Sequence, residues 1–164
     1  MTTAEILEIF APLALAYPNA ATFKGNMEAI ELTANLWSSC LPDIDLWLGQ
    51  QTTMRLILES KFPPTIADFR EKAGQIKAEI DVKIKFQWNF LMQNVRLYGL
   101  DRAIAEIDPR SDVSNVIALM GGSQKLLQQN GYAAFKTAYE RFLHRTKSPT
   151  AIPDKTQRRK EISK

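Results

Sequence analysis

The chain has 164 residues, 45% of them hydrophobic, so it can bury one ordinary core or two small ones and is not a disordered protein. Its net charge is +3, but seven Lys or Arg against two acids fall between Arg145 and Lys164, leaving residues 1–144 slightly acidic with 14 basic and 16 acidic side chains. One cysteine, Cys40, excludes an internal disulfide and a zinc cluster, and one histidine, His144, leaves little for metal or triad chemistry.

The most apolar stretch, Ile6 to Tyr17, is interrupted by Glu8 and Pro12 and is too short to cross a bilayer. No basic stretch with an apolar run and cleavage site opens the chain, so a cytoplasmic protein without a membrane partner is expected.

Thr2, with Glu5 three residues on, opens a first helix whose Ile6, Phe10, Leu13 and Tyr17 share a face; Pro18 and Asn19 end it. A second helix starts near Asn26 with Met27, Ile30, Ala34, Trp37 and Leu41 as its buried stripe, and Leu41-Pro42-Asp43 breaks it. A third runs from about Asp43 to Ser60, its apolar side made by Trp47, Met54, Ile57 and Leu58. Asp43 with Asp45 is a pair that could hold a metal, but carboxylates at a helix start are far more often caps.

Phe62-Pro63-Pro64-Thr65-Ile66-Ala67-Asp68-Phe69 is the sharpest punctuation in the chain. Neither proline has a backbone donor and each holds its predecessor extended, so the preceding helix must stop. Thr65 and Asp68 form a capping-box pair for a fourth helix, with Ile66, Phe69 and Ala73 at helical spacing and Phe62 expected as a staple into the core. That helix reads to roughly Ile80, polar after Ala73, which makes its end a connector between domains. Short connections favour an antiparallel bundle over residues 1–76.

The second half opens with an amphipathic helix bearing Ile84, Trp88, Leu91, Val95 and Tyr98, ended by Gly99. Helices follow over Leu100 to Ile107, after Ser111 as far as Gly121-Gly122, and over Tyr132 to Arg145 with Phe135, Tyr139 and Phe142 on one face; Ser123 starts a brief turn. Gly121-Gly122-Ser123-Gln124-Lys125 lacks the spacing of a phosphate loop and follows a helical pattern instead of a strand. His144, in a last helical turn, suits a dipole partner better than a catalyst. No enzyme and no cofactor are expected. The fold class is all-α: an N-terminal bundle (1–76), a second helical segment (77–145) and a disordered basic tail (146–164) with only Ile152 and Ile162 as large apolar groups.

Ala16-Tyr17-Pro18, the Trp37 helix ending in Leu41, and above all Phe62-Pro63-Pro64-Thr65-Ile66-Ala67-Asp68 resemble the phage replicative-helicase loader/inhibitor family over about residues 5–76. The second half resembles C-terminal regions of such phage proteins through Trp88, Tyr98-Gly99, the Met120-Gly121-Gly122 break, and Phe135 with Tyr139. The resemblance implies a small helical protein of phage or prophage, working in the bacterial host cytoplasm. Such a protein binds a hexameric DnaB-type helicase, restrains its ATPase and unwinding, and helps an origin-binding initiator deliver it to DNA. Helices over 82–145 and the insertion-like Ala20 to Gly25 depart from the family pattern.

The candidate partner-binding residues are Phe62, Pro63, Pro64 and Asp68 at the corner, with Arg158, Arg159 and Lys160 in the tail. A flexible basic cluster is either a solvated end or a contact for phosphates or an acidic protein face. Two other readings of the chain are a small helical DNA-binding replication-initiation module and a helical structural phage protein.

Overall fold

The computed structural model describes residues 1–23 and 25–146, and the tail residues Arg158, Arg159 and Lys160 lie outside them. Seven α-helices and two 3₁₀ turns make up the described chain, with no strand among the described residues, so the fold is all-α as expected. Two compact units divide it, one over Met1–Lys83 and one from Ile84 on.

In the first unit, α1 (Thr3–Ala16) starts on a complete capping box: the Glu5 amide donates to Thr2 Oγ1 and the Thr2 amide donates to Glu5 Oε2 at 2.7 Å. It runs through Pro12, whose missing N–H would have met the carbonyl of the exposed Glu8, where water is available instead. A 3₁₀ turn (Ala21–Phe23) leads to α2 (Met27–Cys40), capped by Asn26 accepting from the Ala29 amide at 2.9 Å. Ser38, near the end of α2, donates to Met1 O at 2.9 Å, so α1 and α2 are antiparallel.

The third helix, α3 (Leu46–Glu59), is capped by Asp45, which accepts from the Leu48 amide at 2.8 Å. Its buried side is Leu48, Gly49, Thr52, Thr53 and Leu56; of the expected side, Trp47 and Ile57 pack against the core, but Met54 is 48% and Leu58 80% exposed. Two threonines can face the core because each hydroxyl donates to the carbonyl one turn back, Thr52 to Leu48 O at 2.7 Å and Thr53 to Gly49 O at 2.9 Å. Gly49 is a point of close approach to α1, where a Cβ would lie 2.6 Å from Ile9 Cδ1.

The core of this unit is an aromatic cluster around Trp37. Its ring meets Phe10 at 5.2 Å, Phe69 at 5.5 Å and Phe23 at 6.1 Å between centroids, all edge-to-face. Ile6, Leu13 and Leu41, each fully buried, surround it. Met27, expected in this stripe, is 68% exposed in the first turn of α2.

α4 (Ile66–Tyr98) is one helix of 33 residues where two are expected from the sequence. Lys77, Glu79 and Lys83 are exposed on it, yet Phe69, Ala73, Ile76, Ile84 and Leu91 stay buried, and no proline interrupts the run. A polar stretch without a breaker therefore stays helical with a solvated surface, and the boundary between the two units, at Lys83 and Ile84, falls within this one helix.

In the second unit the C-terminal half of α4 ends at Gly99, whose φ of 82° and ψ of 163° form an extended positive-φ turn open to glycine, in place of the left-handed helix stop expected there. Then follow α5 (Leu100–Ala105), α6 (Asp112–Met120) capped by Ser111, a 3₁₀ turn (Ser123–Leu127) and α7 (Gly131–Thr146). Trp88 meets Phe135 at 5.4 Å and Tyr132 at 5.6 Å, and Tyr139, fully buried, donates its hydroxyl to Asp112 at 3.0 Å. Gly131 lies so close to the Leu126 carbonyl that no Cβ fits there. Tyr98, expected in the apolar stripe, is half exposed beneath the Arg102 guanidinium, 5.4 Å from its ring centre.

Candidate partner-binding surface

The first unit has one end where the sequence motifs converge. Tyr17, just past α1, holds its hydroxyl 3.2 Å from Leu56 O and 3.1 Å from Ser60 O. These carbonyls belong to the last turn of α3 and its cap, groups that a helix terminus otherwise leaves to water. The phenol thus ties the end of α1 to the end of α3. Ser60 then shapes the turn beyond: its Oγ donates to Phe62 O at 2.8 Å and accepts from the Phe62 amide at 3.3 Å.

That turn aims Phe62 outward. It is 76% exposed, so the expected staple into the core is not made. Pro64 and Phe69 occupy the interior instead, Phe69 against Trp37. The reason is the tight Ser60–Phe62 turn, which the sequence does not announce and which rotates the phenylalanine away before Pro64 enters. Pro63 is exposed and, with Lys61, lines a groove of about 270 Å³ whose other wall is Ala16, Tyr17, Pro18, Asn19 and Ala20. Leu15 (84%) and Leu58 (80%), beside the two helix ends that Tyr17 joins, are with Phe62 the most exposed large apolar side chains described. Leu15 lies off the apolar face read from the sequence of its helix, whereas Leu58 is expected on the buried side of its helix and is exposed instead.

Asp68 is held by the helix start. Its Oδ2 accepts from the Thr65 hydroxyl at 2.7 Å and the Thr65 amide at 2.9 Å, while the Asp68 amide donates to Thr65 Oγ1. The Thr65 hydroxyl, and then its amide, hold the Asp68 carboxyl below its ordinary range. Nearby, Arg70 donates to Cys40 O at 2.8 Å and reaches Asp43 at 3.4 Å. Asp43 is thus an ion-pair partner and Asp45 a cap. Of the four corner residues, Phe62, Pro63 and Asp68 are exposed, Asp68 with its carboxylate held by Thr65, and only Pro64 is buried.

Residues 1–70 match the family model for the N-terminal domain of phage gene 39 protein, a helicase inhibitor and loader family. This stretch is similar to a gene 39 protein N-terminal domain. No curated protein and no solved structure matches the chain. The matched stretch takes in α1, α2, α3 and the first turn of α4, so it contains Tyr17-Pro18, Trp37 and the whole Phe62–Asp68 string, and the groove between them lies wholly inside it. Trp88, Tyr98-Gly99, Phe135 and Tyr139 lie outside the match.

Among the described residues no helix is long and apolar enough to cross a membrane, and no group of three or more His, Cys, Asp or Glu is placed to hold a metal ion. Gly121 and Gly122, at φ 84° and 112°, close α6: the Gly121 amide donates back to Ala118 O, the geometry of a helix end.

Proposed function

We propose that this protein is a non-enzymatic accessory factor of phage DNA replication that binds a DnaB-type hexameric replicative helicase. It restrains the helicase's ATPase and unwinding until an origin-binding initiator places the ring on DNA, and it works in the cytoplasm of the bacterial host. The observation that carries this reading is the match of residues 1–70 to the gene 39 protein N-terminal domain. The convergence of Tyr17-Pro18 and Phe62-Pro63 on one exposed apolar end supports it, because apolar surface of this kind marks protein–protein contact on a small domain. The basic residues Arg158, Arg159 and Lys160 suit an acidic face of the helicase assembly or DNA phosphates.

The test is size-exclusion chromatography and ATPase measurement with the hexameric helicase of the same genome, with ATP present. The expected outcome is a stable complex with lowered ATPase and no nucleotide turnover by the protein alone. Phe62→Ser should weaken the complex by about tenfold or more, as befits an exposed aromatic anchor, while leaving the melting temperature unchanged. DNA binding by the isolated protein with no helicase complex would overturn the reading.

A further inference from the structure

We propose that the outer face of the second half of α4 is a docking surface for an amphipathic α-helix of another protein, apolar along one seam and acidic on its flanks. Phe86, Phe90, Gln93 and Leu97 follow one another at spacings of four, three and four, the 3.5-residue repeat of a helix that packs lengthwise on another helix. Phe86 is 65%, Phe90 58% and Leu97 64% exposed. The opposite face of the same segment is already filled: Ile84 and Leu91 are buried, and Trp88 lies against Tyr132 and Phe135. This segment is therefore apolar on two sides and covered on one, whereas a surface helix ordinarily carries a single apolar stripe. A groove of about 500 Å³ bounded by Trp88, Asn89, Met92, Gln93 and Arg96 borders the seam and can receive side chains from a partner helix.

Charge selects the occupant. Between Val82 and Leu100 there is no Asp or Glu, while Lys85 and Arg96 are exposed, each one residue before a seam position. A second copy of the chain would bring the same cations against them across a helix–helix distance comparable to the screening length, at a cost. Residues 147–164 carry six Lys or Arg against Asp154 and Glu161, so they too have the wrong sign. A helix with Glu or Asp beside its apolar seam complements both features, the acids fixing register and partner as flanking charges do in paired helices. This inference stands apart from the helicase reading, since it follows from α4 alone.

Two three-heptad helical peptides with the same leucine seam, one flanked by Glu and one by Lys, provide the probes for anisotropy titrations against the full chain. The Glu-flanked peptide should bind at least about tenfold tighter at low salt, the gap closing as salt rises. Phe86→Ser with Phe90→Ser should abolish binding without lowering the melting temperature, since both rings are exposed. Lys85→Glu with Arg96→Glu should invert the preference, and Leu15→Ser, in the other unit, should leave it intact. Equal binding of the two peptides, no binding of either, or a preference unmoved by the charge reversal would overturn the proposal. So would a wild-type dimer in sedimentation that Phe90→Ser dissolves, which would give the face to a second copy.

Discussion

Trp37 and Phe62 are a buried and an exposed aromatic residue of the first unit. Trp37 is 2% exposed and touches three other rings, so Trp37→Ala should cost about 3–5 kcal/mol, read from urea denaturation. Phe62, with three quarters of its surface in water, has no comparable burial to lose. Thr65 lies between these cases. Thr65→Ala removes an N-cap and should cost about 1 kcal/mol. It also releases Asp68, whose folded-state carboxyl titrates below its unfolded value; the stabilisation from that carboxylate is therefore full at neutral pH and is lost as pH falls through the folded value. Denaturation curves from neutral pH down to about pH 3 should show a shallower acid limb for Thr65→Ala than for the parent. Identical acid limbs would mean that the Thr65–Asp68 pair contributes nothing to stability.

Helix starts were the most legible elements, because Thr2, Asn26, Thr65 and Ser111 each announce themselves by a short polar side chain before an apolar run, and each one caps. Buried faces were less so. In α3 the apolar side chains Met54 and Leu58 point to water and two threonines point inward, since a hydroxyl bonded one turn back is cheap to bury and Gly49 lets α1 come close. The corner at Phe62–Asp68 was read correctly as a stop and a restart, but the direction of Phe62 depends on the Ser60 side chain, a local contact no periodicity encodes. The break assigned near residue 80 had no proline or glycine to enforce it. The glycine that α4 does contain, Gly74, is exposed, with nothing within 4 Å of where a Cβ would sit. Gly74→Ala should therefore stabilise the protein by about 0.5–1 kcal/mol, visible as a raised melting temperature. A lowered one would mean that the position is not an open helix surface.

At the scale of the molecule, the first unit carries the family likeness and the second carries the surplus apolar helix face, so loss of partner binding can be assigned by where a substitution falls. Leu15, Leu58 and Phe62 report on the first unit; Phe86, Phe90 and Leu97 report on the second. The placement of the indoles has a spectroscopic consequence. Trp37 and Trp47 belong to the first unit and Trp88, stacked among Tyr132 and Phe135, to the second, so each unit holds its own fluorophore. Trp88→Phe leaves emission that follows only the first unit, and Trp37→Phe with Trp47→Phe leaves emission that follows only the second. Two such variants in a denaturant series should yield two separately resolved midpoints, which makes a single unfolding free energy for the whole chain an ill-defined quantity. Coincident midpoints would instead make the chain one cooperative body, and every substitution above would then be felt by both dyes.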